Sequence, residues 1–312
     1  MLLERLKKQS GLSDNQLERL AETASKRYKT FSIPKRTGGF RTINQPTRQI
    51  KSIQRWLVKA ISSKFPLHNC ATAYSSGSSI KKNAERHLLH GFTLRVDFES
   101  FFPSFQASHV KKFLTDKSII LGFDLTRADI DFATRIFCRF DMLTIGAPSS
   151  PTLTNLMMFE FDDDFSNWCA IKNLMYSRYA DDIFVSSLAA NQLPAALSKI
   201  EEISKTYKYA SLKINNEKTK FLSRRYRRSI TGLIITPDGR ISIGLERKNK
   251  IKNELYDFQH GRLTLDQIQK LRGMLAFVGD VEPAFYGTLV RKYSQSVIDQ
   301  IEAVLTPAPP ML

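Results

Sequence analysis

The spacing of apolar positions divides the chain into helical and extended stretches. Residues 1 to about 28 read as helical, with Leu12, Leu17 and Leu20 as apolar positions and a Ser13-x-x-Gln16 capping box at a helix start. The period then shortens. Residues 30 to 35 and 40 to 43, joined by the turn Thr37-Gly38-Gly39, predict a β-hairpin with basic residues near its tip. A helix is expected from about 49 to 65, apolar at Ile50, Ile53, Trp56, Leu57, Ala60 and Ile61. The Gly/Ser stretch 75 to 79 is a loop, too short for a domain linker.

Residues 94 to 98 predict a buried strand, and 129 to 140 a helix. Pro148 and Pro151 break the chain ahead of a helical run from 153 to 168. Two strands, 174 to 179 and 183 to 187, predict a tight hairpin around Ala180-Asp181-Asp182. A helix near 195 to 207 precedes strands near 212 to 214, 220 to 222, 230 to 235 and 240 to 243. From about Arg247 the pattern is mainly helical, up to a Pro-rich tail at 306 to 312. No repeat of about 20 to 50 residues is visible, which excludes a solenoid.

Composition leaves this picture of an ordinary folded chain unchanged, since 312 residues at 42% hydrophobic suffice for a substantial core. Charge does change it. The 47 Lys and Arg against 30 Asp and Glu give a formal +17, which points to a polyanionic partner, nucleic acid ahead of an anionic membrane surface. No run of about 18 apolar residues exists and the N-terminus is charged throughout, so a cytoplasmic location without a membrane partner is expected. Cys70, Cys138 and Cys169 are far apart and His is sparse, suggesting neither a disulfide framework nor a zinc site. Any metal should be hard and oxygen-bound.

Carboxylates supply the candidate chemistry. Asp181 and Asp182 are adjacent within an otherwise apolar β segment, where they repel one another and are costly to desolvate unless a cation intervenes. Neighbouring strand residues point to opposite faces, so both reach one site only at a hairpin bend, where the sequence puts them. Asp97, at the end of the apolar Leu94-Arg95-Val96, would complete an all-oxygen site suited to Mg²⁺. Taken singly each aspartate also fits a solvated turn or a cap. Asp162-Asp163-Asp164 lacks flanking strands and reads as an exposed helix-end face.

In order along the chain, these features resemble the reverse transcriptase family. Its active-site hairpin carries Tyr-Ala-Asp-Asp, read here at 179 to 182; its first catalytic motif resembles Val96-Asp97-Phe98-Glu99-Ser100-Phe101-Phe102-Pro103-Ser104, and its template grip resembles residues 146 to 155, Gly-Ala-Pro-Ser-Ser-Pro-Thr-Leu-Thr-Asn. The resemblance implies an α+β right-hand polymerase fold: an N-terminal helical extension (1–30), fingers (31–92), a palm of antiparallel sheet with helices on one face (93–243, including part of the fingers at about 105–150) and a helical thumb (244–312). It also implies two Mg²⁺ ions, replaceable by Mn²⁺, bridged by Asp97 and Asp181 with the Phe98 carbonyl and Asp182 assisting. Lys35 and Arg41 match the basic residues that neutralise the incoming dNTP, and Phe102 the ring that blocks a ribose 2′-hydroxyl. Gly146 and Ala147 match the nucleotide-side loop, and Lys218 the lysine that helps protonate pyrophosphate. Ile145 departs from the Gln often found in retroviral enzymes, which puts a polar contact to the nucleotide in doubt.

Within the family, Asn83-Ala84-Glu85-Arg86-His87 and Ile230-Thr231-Gly232 resemble elements of the bacterial retron enzymes. That resemblance implies a cognate non-coding RNA copied into single-stranded DNA, priming from an RNA 2′-hydroxyl, and phage defence with an effector protein encoded nearby. The basic run from 205 to 252, with 14 Lys and Arg against three acids, supports an RNA partner independently. RNA contacts are expected from Asn83, His87, Arg224, Arg225, Arg227, Arg228, Lys248, Lys250, Lys252 and Arg272. Two alternatives are another small bacterial reverse transcriptase, of diversity-generating or phage-exclusion type, and a catalytically silent RNA-binding scaffold. The intact aspartates argue against the scaffold.

Overall fold

A computed structural model describes residues 2–35, 38–75, 77–120, 125–223, 225 and 227–304. Two short helices open the chain, α1 (Leu2–Ser10) and α2 (Asp14–Thr23), separated at Gly11, whose φ is +68°. The expected capping box starts α2: Ser13 Oγ accepts from the Gln16 amide at 3.3 Å, and Gln16 Oε1 from the Ser13 amide at 2.8 Å. Strands β1 (Tyr28–Pro34) and β2 (Phe40–Pro46) form an antiparallel hairpin with Pro34 opposite Phe40. Helix α3 (Arg48–Ser62) then buries Ile50, Ile53, Leu57 and Ile61 at helical spacing. The chain continues through α4 (Ile80–Glu85), β3 (Phe92–Asp97), α5 (Ala107–Ile120) and α6 (Arg127–Phe137).

Helix α6 ends three residues short of the expected Phe140, because Phe140 and Asp141 take left-handed conformations (φ +47° and +60°) in a tight turn closed by Arg139 and Met142. The single helix expected over 153 to 168 is two, α7 (Ser150–Met157) and α8 (Phe159–Ile171), joined at Met158. Strands β4 (Met175–Tyr179) and β5 (Asp182–Ser187) follow, then α9 (Leu193–Thr206) and β6 (Lys220–Ser223). Their sheet has the order β4-β5-β3-β6. Its interior strands carry nearly continuous apolar burial, with Leu94 and Val96 on β3 and Ile183, Phe184 and Val185 on β5, while α8 packs on β4 and α9 on β5. The strand expected at 212 to 214 is reduced to one antiparallel bridge between Phe98 and Ile214.

Past the sheet, the strand expected over 230 to 235 is a hairpin of β7 (Arg228–Ile230) and β8 (Leu233–Ile235). Thr231 (φ +47°) and Gly232 (φ +80°) are both left-handed, the pattern of a two-residue turn that matches strand twist. Strand β9 (Ile241–Ser242) completes this three-stranded sheet, and α10 (Leu245–Gln259), α11 (Leu265–Val281), α12 (Pro283–Tyr293) and α13 (Gln295–Glu302) follow.

The chain divides into two compact units, residues 1–78 with 93–221, and residues 79–92 with 222–312. Helix α4 therefore belongs with the small sheet and the last helices. Arg228, Asn83 and His87, expected to face RNA, are buried in this second unit, which corrects that expectation. The Arg228 guanidinium donates to the His87 carbonyl at 2.6 Å and to the His90 carbonyl, satisfying the backbone where α4 runs out. Burial pushes His87 down to about 3, so its ring is neutral. Arg228→Ala should take the guanidinium from both carbonyls, leaving that of His87 with the His90 amide at 3.3 Å, and cost about 3 kcal/mol in urea unfolding, whereas the exposed Arg225→Ala should stay within about 0.5 kcal/mol.

Candidate active site

The carboxylates are gathered by the two interior strands of the larger sheet. Asp97 closes β3 and is 4% exposed; Asp182 opens β5. Tyr179 pairs with Asp182, so Ala180 and Asp181 form the two-residue turn of the β4–β5 hairpin. Ala180 has φ +57°, a conformation strained for any residue with a β-carbon. That turn breaks the strand alternation and brings Asp181 within electrostatic reach of Asp97.

Electrostatics at this end of the sheet are unfavourable to the charged forms. Burial raises Asp181, Asp97's like charge adds to the rise, and Lys218 and Arg41 oppose it. Asp182 is pushed up to about 6, chiefly by burial, with Arg95 opposing and Asp181 and Asp97 adding. Two cations compensate in part. Lys218 Nζ donates to Asp97 Oδ1 at 2.9 Å, and Arg95 donates to Asp182 Oδ1 from Nε at 2.9 Å and Nη2 at 2.8 Å. Arg95 is a site residue the sequence reading missed; its signal was a charge inside an otherwise apolar strand, two residues before Asp97.

An all-carboxylate set of like charges, Asp97 buried and Asp181 and Asp182 half-buried, fits a hard divalent cation. The Phe98 ring is buried, and the bridge to Ile214 is carried by the Asp97 carbonyl and the Glu99 amide, so the Phe98 carbonyl takes no part in that bridge. A second cluster, His68, Cys70 and Asp162, brings ligand atoms within 4.8 Å. Its carboxylate is already engaged: Asp162 Oδ1 accepts from Arg178 Nε at 2.8 Å and Tyr176 Oη at 2.6 Å, and Oδ2 from Arg178 Nη2 at 2.6 Å. This overturns the reading of Asp162 as part of an exposed face. Asp162 lies on the buried stripe of α8 with Phe161, Phe165 and Cys169, and Arg178 is 0% exposed on β4.

The remaining candidates fall in several places. Lys35 and Arg41 are exposed on the first hairpin. Phe102 is part-exposed in a single 3₁₀ turn, edge-on to Phe101 at 5.6 Å. Gly146 has φ +105°, and a β-carbon there would lie 2.9 Å from the Asn44 carbonyl oxygen and the Ile43 side chain, so only glycine fits. The Ala147 methyl is buried, leaving its backbone as the part a nucleotide could meet. In the second unit Arg225, Arg227 and Lys250 are exposed, and Lys252 is half-buried. Lys248 pairs with Glu282 at 2.5 Å and Arg272 donates to the Val304 carbonyl at 2.7 Å, so both have structural partners. Arg224 lies outside the described residues. Among the described residues no helix is long and apolar enough to cross a membrane.

Comparison with known proteins agrees with this geometry. Residues 33–236 match the family model described as reverse transcriptase (RNA-dependent DNA polymerase). The retron Ec83 reverse transcriptase of Escherichia coli is 33% identical over 284 residues, covering 88% of this chain and 89% of its own. The retron Ec86 enzyme of Escherichia coli is 29% identical over 292 residues, covering 93% and 88%. Among solved structures, telomerase from Candida albicans in complex with a TWJ fragment of telomeric RNA superposes with a TM-score of 0.51 at 14% identity, over 88% of this chain and 60% of that one, a likeness of fold. With carboxylates, motif order and relatives in agreement, the chain belongs to the reverse transcriptase family, and within it to the retron reverse transcriptases, RNA-directed DNA polymerases.

Proposed function

We propose that this protein copies part of a cognate structured non-coding RNA into single-stranded DNA, priming from an RNA 2′-hydroxyl to leave a branched, RNA-linked product. The observation that carries the reading is the gathering of Asp97, Asp181 and Asp182 under like-charge strain that a divalent cation relieves. Asp97 and Asp181 would hold two Mg²⁺ ions, with the Phe98 carbonyl and Asp182 assisting. When bound, such ions activate the primer hydroxyl and neutralise charge on the triphosphate and leaving pyrophosphate.

The protein's own groups do the rest. Lys218, which rests on Asp97, is the group that would give a proton to the leaving pyrophosphate. Arg95 retains Asp182, keeping one carboxylate partly neutralised. Arg41, whose charge is felt at Asp181, and Lys35 receive the dNTP triphosphate, and Phe102 favours deoxynucleotides by filling the space of a 2′-hydroxyl. Arg225, Arg227, Lys250 and Lys252 supply exposed or half-exposed charge for the RNA and its DNA product. A role in phage defence, with an effector protein encoded nearby, is part of the same proposal.

Three outcomes test this. Purified protein with Mg²⁺ should extend deoxynucleotides on RNA, and Asp181→Asn with Asp182→Asn should abolish synthesis without unfolding; retained synthesis in that double variant refutes the site. Expression with the flanking genomic DNA should yield short single-stranded DNA joined to RNA, read as a gel shift on ribonuclease treatment. Polymerase activity without that product rejects the priming scheme. Finally, the raised pKa of Asp182, near 6 against an ordinary 3.8, means the folded state keeps a proton that the unfolded chain has lost over that window. In chelator, stability should therefore fall as pH rises from about 4 to about 6, and Asp182→Asn should stabilise the metal-free protein at pH 7.5 by roughly 1 to 2 kcal/mol in thermal unfolding.

A further inference from the structure

A buried ionic network stands directly behind the catalytic turn. Arg178 sits two residues before Ala180, and its guanidinium is used in two directions. Toward α8, Nε and Nη2 donate to the two oxygens of Asp162 at 2.8 and 2.6 Å, a bidentate pair with both side chains 0% exposed. Toward the turn, Nη1 donates to the Ala180 carbonyl at 3.0 Å and to Asn155 Oδ1 at 3.0 Å. The backbone of Arg178 is fixed as well: its amide donates to the Cys70 carbonyl at 2.9 Å, and its carbonyl accepts from the Thr72 amide at 2.8 Å. Asn155, at the end of the template-grip motif on α7, donates from Nδ2 to the Ala73 carbonyl at 2.8 Å. Tyr176 closes the network on Asp162 at 2.6 Å.

Energetics argue that this arrangement serves geometry. A fully buried ion pair gains little net stability over well-packed apolar residues of the same volume, because both charges lose their water. What it does supply is direction, since a guanidinium fork admits one orientation. Here that orientation aims a donor at the carbonyl of Ala180, the residue held at φ +57° against the preference of its own β-carbon. The next residue is Asp181. Rotation of the Ala180–Asp181 peptide toward an ordinary conformation would lose the Arg178 hydrogen bond and re-aim the Asp181 carboxylate.

We propose that Arg178, oriented by Asp162 and Asn155, is a positioning residue: its hydrogen bond to the Ala180 carbonyl holds the strained turn that presents Asp181 to the catalytic metal ions. This rests on the metal-binding role of Asp181 given above. The network thereby ties the template-grip helix α7 to the catalytic hairpin through one side chain, so the two motifs share a common anchor.

Single-turnover primer extension against Mg²⁺ concentration tests the proposal, with circular dichroism and thermal unfolding on each variant. Arg178→Lys keeps the buried charge opposite Asp162 and removes the fork; Asp162→Leu with Arg178→Met removes both charges at similar volume. Each should remain folded, lose about ten- to a hundredfold in extension rate and need more Mg²⁺ for half-maximal rate, with the dNTP requirement little changed. Ala180→Gly, which removes the β-carbon that opposes the turn, should recover part of the loss in the Arg178→Lys background. Folded variants with wild-type rate and Mg²⁺ requirement overturn the proposal. A rate loss with unchanged Mg²⁺ requirement does so too, as does failure of every variant to fold, since the network would then serve the core alone. The Asp181→Asn, Asp182→Asn protein is the control: synthesis there refutes the active site itself, independently of Arg178.

Discussion

Negative charge confined at the end of a buried sheet is the constraint around which the larger unit is arranged. Burial raises the proton affinity of Asp181 and Asp182, and like charge adds to it, from Asp97 on Asp181 and from Asp181 and Asp97 on Asp182. Lys218 and Arg95 answer that charge, one cation each for Asp97 and Asp182. Asp181 has no such close ion pair among the described residues and feels its cations, Lys218 and Arg41, at longer range. The carboxylate at the apex of the turn is thus the one without a close cation, while Asp182 is held furthest above its ordinary range in spite of Arg95. A divalent ion would supply the cation that Asp181 lacks, and fixing the two-residue bend keeps that carboxylate where it can share one with its neighbours.

Much of this was legible in the sequence because it depends on local chemistry. The Ser13 to Gln16 capping box, the alternation on either side of Ala180-Asp181-Asp182 and the apolar strand ending in Asp97 are each determined by residues close together in the chain. What escaped was set by distant partners. Asp162 looks solvated beside Asp163 and Asp164, yet helical geometry puts it on the face shared with Phe161 and Phe165, and Arg178 is the charge that makes its burial tolerable. Likewise Arg228 reads as one member of an arginine run. Its role is fixed by two carbonyls some 140 positions earlier, which no local pattern reveals.

The same lesson applies to nucleic-acid binding. A run of basic residues measures the available charge and leaves open which side chains face outward. In the second unit the charge is sorted: Arg228 is consumed by backbone carbonyls and Lys248 by Glu282, while Arg225, Arg227 and Lys250 stay exposed. Two element boundaries were similarly decided by pairs of left-handed residues. Thr231 and Gly232 turn an apparent strand back on itself, and Phe140 and Asp141 cut α6 short.

The second unit is discontinuous in sequence, assembled from 79–92 and from everything after Phe221, so the chain passes between units three times. Modularity is limited as a result. An exchange of the C-terminal third between two relatives would import β7 to β9 and α10 to α13 while leaving α4 and the His87 and His90 carbonyls from the other parent. Arg228 would then meet a foreign backbone. Recombination that preserves function must carry both segments together, and the short stretch around α4 is inherited, in effect, as part of a region that begins about 130 residues later.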